Sequence, residues 1–114
     1  MVDATVGYVF SDSTHILPYL EDPGKGPTSR FCATLAKNLH CYVTAGYPER
    51  LAPHERQPAV LEDGQMIQQV GANSAIVYDP QGKCVGNYRK TNLYDTDMTW
   101  ARQGRSGFLY MISF

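Results

Sequence analysis

Two stretches of the chain show ordered alternation of apolar and polar positions, and their periods differ. Between Thr28 and His40, the residues Phe31, Leu35 and Leu39 recur every fourth position with Cys32 and Ala36 beside them, the spacing of one face of an α-helix. Thr28 or Ser29 is expected to act as its N-cap, and the helix to end near His40. From Asn73 to Asp79 and from Lys83 to Arg89 the residues are β-branched, aromatic or alternating, which predicts two strands. The tetrapeptide Asp79-Pro80-Gln81-Gly82 has Pro at the second and Gly at the fourth position of a type I turn, so the strands should form a hairpin. Such a hairpin is expected to take a helix against one face.

The remaining segments fit around this unit. An aromatic and apolar run from Gly7 gives way to Ser11-Asp12-Ser13-Thr14, a cluster that favours a helix start, and a short helix over His15 to Leu20 is re-aimed by Pro18. Glu21 to Pro27 is a loop by its Pro and Gly content. Cys41 to Gly46 predicts a buried strand, stopped by Gly46 and Pro48. Arg50 to Gly64, with two prolines and several charges, predicts a long irregular surface excursion. Helix followed by strand indicates an α/β class, with no repeat, low-complexity tract or interdomain linker.

Composition narrows the function classes. The 114 residues are 43% hydrophobic and 18% charged, enough for one core, and the net charge of -1 provides no footprint for nucleic acid or an anionic membrane. No apolar run approaches the roughly 20 residues that span a bilayer, and no basic flank precedes an apolar segment, so a cytoplasmic location is expected. Cys32, Cys41 and Cys84 are widely separated and form no Cys-x-x-Cys pair, which predicts reduced thiols and neither disulfide nor zinc. His40 and Cys41 are adjacent and, on a strand, would point to opposite faces. No metal or cofactor is expected.

The candidate chemistry lies at the end of the predicted hairpin. Lys90 comes directly after the second strand, where a sheet presents a fixed cation at its rim, and is the candidate catalytic residue. Cys84, six positions earlier on extended chain, lies roughly 20 Å away at about 3.3 Å per residue, too far to cooperate. Cys32 falls in the first turn of a helix but beside the apolar stripe, which favours packing. The segment Pro23 to Ser29 lacks both the preceding strand and the Gly-Lys-Ser/Thr order of a phosphate loop. Glu49 is expected to be a solvated charge at a strand exit.

The hairpin and the residues immediately after it carry a resemblance. Asn73, Val77, Asp79 and Gly82 fit an N-x-x-x-V-x-D-x-x-G pattern, and Tyr88-Arg89-Lys90-Thr91-Asn92-Leu93 comes next as a lysine motif. Together these resemble the carbon–nitrogen hydrolase (nitrilase) superfamily over most of the chain, from Gly7 to about Phe108. Gly46-Tyr47-Pro48-Glu49, Tyr94-Asp95-Thr96-Asp97 and Trp100 are similar to a fungal branch that deamidates N-terminal Asn and Gln of proteins. The resemblance implies an α-β-β-α sandwich and a Glu-Lys-Cys triad in which the thiolate attacks an amide carbon, the glutamate shuttles the proton and the lysine holds the developing charge. Lys90 matches the lysine.

The other two triad positions do not match. Counting back from Gly7-Tyr8 puts the glutamate at Val2, and the cysteine position falls past Phe114; a further glutamate of many relatives falls at Met98, and the histidine of the lysine motif at Asn92. Residues 1 to 114 are thus expected to be a partial hydrolase domain, a fragment lacking the Glu and Cys segments and inactive as written. The parent would be an amidohydrolase on protein N-termini bearing Asn or Gln, with room for a homo-oligomer. The alternative is a non-catalytic module that pairs with an intact relative.

Overall fold

The computed structural model describes residues 10 to 105. Asp12 starts the first helix, α1 (Ser13–Ile16), by accepting the His15 N–H at 2.8 Å, and Pro18 turns its continuation into a single 3₁₀ turn over Leu17–Tyr19. The main helix, α2 (Pro27–Leu39), begins earlier than either expected cap: Gly26 is the N-cap residue and Pro27, whose missing N–H costs nothing there, opens the helix. Capping comes from seven residues upstream, where the Glu21 carboxylate accepts both the Thr28 N–H and the Thr28 hydroxyl at 2.8 Å. A Cβ at position 26 would overlap the Glu21 side chain, which accounts for glycine there. At the other end His40 turns left-handed (φ 53°), and its N–H and that of Cys41 close onto the Ala36 carbonyl.

A three-stranded antiparallel sheet comes next, in the order β1 (Val43–Arg50), β4 (Gly71–Tyr78), β5 (Cys84–Arg89). The predicted hairpin is β4–β5, with Ser74 opposite Arg89, and the Gly82 N–H closes the turn onto the Asp79 carbonyl at 2.8 Å. The Asp79 side chain accepts from the N–H groups of Gln81 and Lys83, which secures the turn. Strand β1 does not stop at Gly46 or Pro48. It pairs in register from Val43 with Tyr78 to Arg50 with Gly71, and Cys41 and Tyr42, expected in a buried strand, are exposed outside it. Pro48 fits because its carbonyl points away from β4, accepting the Glu21 N–H, so the absent proline N–H lies on the outer edge and removes no ladder bond.

The predicted irregular excursion holds a 3₁₀ turn at Pro53–Glu55 and a strand, β2 (Gln57–Val60), which pairs with β3 (Met66–Gln69) just past its end to form a small second sheet. It remains a largely exposed excursion.

Helix α2 covers one face of the main sheet, as expected, yet through the flank of its apolar stripe rather than its centre. Cys32 and Ala36 are fully buried against Tyr47, Ile76 and Tyr78, whereas Phe31 is 54% and Leu39 61% exposed. Small side chains let the helix axis approach the sheet closely; the large ones of the stripe lie outside. A second cluster, Phe10, Ile16, Leu20, Val70, Trp100 and Ala101, closes the end of the sheet where β4 begins. Gly71 sits at that junction, and a Cβ there would meet the Glu49 carbonyl, Leu20 and Trp100 within 3 Å.

Candidate active site

Strand alternation separates Arg89 from Lys90. The face of the sheet that α2 covers carries Tyr47, Glu49, Ser74, Asn87 and Arg89, while Asn73 and Lys90 belong to the other face.

On the first face Glu49 is 1% exposed, so the expectation of a solvated charge is overturned. It lies inside a polar hub. Its Oε1 accepts from the Ser74 hydroxyl at 2.8 Å and the Asn87 amide at 2.9 Å, and both of its oxygens accept from the Arg89 guanidinium. Arg89 also reaches Glu55, with Nη1 donating at 2.7 Å and Nη2 at 3.1 Å. The guanidinium hydrogen bonds hold the Glu55 carboxyl well below its usual range, at about 2, and the paired carboxylates raise the pKa of Arg89 further. Tyr47 donates its hydroxyl to Asn87 at 2.6 Å; burial, and next the neighbouring Glu49 charge, push its pKa up and keep it a neutral donor. The hub's geometry is that of a lock holding β1, β4 and β5 together.

On the second face Lys90 is partly buried and directed. Its backbone N–H donates to the Asn73 carbonyl at 2.8 Å and its carbonyl accepts from Gly104 at 2.9 Å. The ammonium lies 3.3 Å from the Asp97 carboxylate and 3.8 Å from the centroid of the Tyr94 ring, with 30% of the side chain exposed. The sequence motif singles out Lys90 and gives no sign of its carboxylate partner. The matching position for a family glutamate is Met98, which is exposed, and the acid that reaches the lysine is its neighbour Asp97.

The thiols stand apart from this arrangement. Cys32 is buried and its pKa is raised by that burial, in keeping with the packing role expected of it, while Cys41 and Cys84 are exposed. Two cavities flank Arg89, one of about 290 Å³ lined by Asn87, Arg102 and Gln103 among others, the other of about 310 Å³ lined by Arg50, Leu51 and Pro53 among others. Lys90 lines neither. Among the described residues no group of three His, Cys, Asp or Glu is placed to hold a metal, and no helix is long and apolar enough to cross a membrane. Val2, the position matching the family's glutamate, lies outside the described residues.

The comparisons with known proteins agree with one another. The carbon-nitrogen hydrolase family model matches residues 4–111. The chain is 37% identical over 97 residues to the protein N-terminal amidase of Saccharomyces cerevisiae, covering 85% of itself and 18% of that protein. It is 27% identical over 106 residues to the protein N-terminal amidase of Schizosaccharomyces pombe, covering 91% of itself and 32% of that protein. A crystal structure of N-terminal amidase with an Asn-Glu-Ala peptide matches with a TM-score of 0.64 at 34% identity, over 85% of this chain and 20% of that one. The chain thus spans less than a third of the length of these relatives, and its helix-on-sheet arrangement is the α/β fold of part of a nitrilase-type sandwich. The family model covers most of the chain and the first relative is 37% identical across 85% of it, so the chain belongs to the carbon–nitrogen hydrolase family.

Proposed function

We propose that this chain is the lysine-bearing part of an amidohydrolase that cleaves the side-chain amide of an N-terminal Asn or Gln on a peptide or protein. The observation that carries the reading is the setting of Lys90: an ammonium at a strand end, pinned by backbone bonds on both sides and held at its tip by a buried carboxylate and an aromatic ring. Such a group stabilises an oxyanion without reorganising as the charge develops. A thiolate adding to the amide carbon would place that charge on the carbonyl oxygen; the tetrahedral adduct expels ammonia, with a proton delivered by the general acid, and water then cleaves the thioester to leave Asp or Glu. The role of Lys90 is to bind the oxygen in both addition steps.

Thiol and general base are proposed to come from polypeptide beyond these 114 residues, making the chain a partial domain. Two observations support this. The chain corresponds to 18% and 32% of its two relatives named above, and the sheet face that carries Lys90 also carries Thr44, Gly46, Ala75, Val77, Gly86 and Tyr88, uncharged residues suited to a second layer. The resemblance to enzymes acting on N-terminal amides, rather than the site itself, supports the choice of substrate.

The test is ammonia release from peptides beginning with Asn or Gln, measured for the 114 residues and for the natural polypeptide that contains them. The longer form should turn over, the short one should not, and Lys90→Ala should reduce kcat by about 10²–10³, the scale of losing one oxyanion donor. Activity in the Lys90→Ala form equal to that of the parent would overturn the reading.

A further inference from the structure

The geometry points to an oxyanion site beside the strand end that presents Lys90: the cavity of about 290 Å³ next to Arg89 takes the carboxylate or phosphate group of a ligand on Arg102 and Arg105. The site stands apart from the hydrolase reading above, and only a peptide as the source of the anion rests on that reading. Among the described residues no apolar side chain lines this cavity, whose walls set three guanidiniums against one carboxylate, Glu55. Its volume lies at the lower end of small-molecule sites, which suits a single charged group.

Much of the polar lining is already engaged. Arg89 is held by Glu49 and Glu55, and its Nη1 and Nη2 in turn cover both Glu55 oxygens, which quenches the one charge that would repel an anion. The Asn87 amide donates to Glu49 and the Gln103 amide to the Thr91 carbonyl. The other two guanidiniums have no acid. Arg102 gives one N–H to the Glu55 carbonyl at 3.3 Å, and among the described residues no carboxylate pairs with Arg102 or Arg105. A guanidinium carries five N–H donors in a rigid fork matched to carboxylate and phosphate oxygens, so two unpaired forks on one polar cavity form an anion receptor.

The backbone fixes where these arginines stand. The Arg102 N–H donates to the Gly71 carbonyl at 2.8 Å and the Gly104 N–H to the Lys90 carbonyl at 2.9 Å, which pins the segment to the start of β4 and to the residue after β5. A Cβ at position 104 would overlap the Arg89 carbonyl, so glycine is what lets the chain run this close to the strand. The cavity wall and the candidate catalytic lysine therefore share a hydrogen bond, and the receptor lies at the same rim of the sheet.

The test titrates inorganic phosphate into the natural polypeptide carrying this chain, by calorimetry at constant ionic strength. Phosphate should bind saturably; Arg105→Gln, at an exposed position, should weaken that binding by about tenfold, the scale of one charge-assisted hydrogen bond, and the double variant Arg102→Gln/Arg105→Gln should lose the site, while Lys25→Gln changes nothing. Kinetics with C-terminally amidated Asn-Glu-Ala and Asn-Gln-Ala, which differ by one carboxylate, separate the two sources of the anion. If phosphate raises KM for the first peptide alone, as Arg105→Gln then does, the ligand is the carboxylate of the peptide; if both peptides respond alike, it is a free anion. The inference is overturned if no phosphate binds, or if the double variant binds it as tightly as the unmutated protein. Failure to turn over either peptide overturns the hydrolase reading instead and leaves the calorimetric result standing.

Discussion

Replacing Glu49 with alanine should cost the fold about 3 kcal/mol, and the figure can be assembled from the contacts of that one carboxylate. Glu49 accepts from Ser74, Asn87 and Arg89 at a site that is 1% exposed. Breaking a buried ion pair by deleting one partner costs about 3–5 kcal/mol, because charge and donors are left without a counterpart. The lower end applies here, since Arg89 keeps its two hydrogen bonds to Glu55 and 29% of its side chain reaches solvent. Glu49→Gln keeps one oxygen for Ser74 and Asn87 but turns an NH2 donor toward the Arg89 guanidinium where an acceptor stood, so an effect close to that of alanine is expected. Trp100, the only tryptophan in the sequence and 4% exposed, provides the signal for equilibrium urea unfolding. At an m value of about 1.5 kcal/mol/M, the alanine variant should lower the midpoint by about 2 M. A loss below about 1 kcal/mol, the range of exposed ion pairs, would refute the claim that the hub locks the three strands together.

Two further outcomes are expected from the same geometry. Glu55 has its folded pKa depressed from 4.5 to about 2, chiefly by the Arg89 hydrogen bond, so its contribution to stability is fully present above pH 4.5 and is lost as pH falls toward 2; Glu55→Gln should flatten the stability profile in that window and leave its shape at neutral pH unchanged. Thiol labelling with a chromogenic disulfide should be prompt at the exposed Cys41 and Cys84 and should reach the buried Cys32 only on unfolding; equal rates at all three would contradict the packing of α2.

Local chemistry made the β4–β5 hairpin legible, because Pro and Gly at set positions of a four-residue turn determine the connection without help from the rest of the chain. The helix was legible in period and not in phase. Phe31, Leu35 and Leu39 share the spacing of Cys32 and Ala36, and only the close approach of the sheet selects the smaller pair for the inside. Gly46 and Pro48 read as stops for β1, yet the proline lies on an edge where no ladder bond is needed, a fact about its neighbour Glu21 rather than about proline. Lys90 announced itself through the motif around it. Glu49 did not, since its partners Ser74, Asn87 and Arg89 lie 25, 38 and 40 positions away, and no local pattern encodes a contact of that span. Asp97 lay one position from where the family's acid is found, and the Tyr94 turn decides which of the two neighbours faces inward.

Arg89 and Lys90 are consecutive cations, yet each answers to different acids across the thickness of the sheet. The backbone between them behaves as an insulating partition: a change that loosens the structural lock beneath need not disturb the charge presented above. Such separation lets one dipeptide serve architecture and chemistry at once, and lets substitutions accumulate in either without passing through the other.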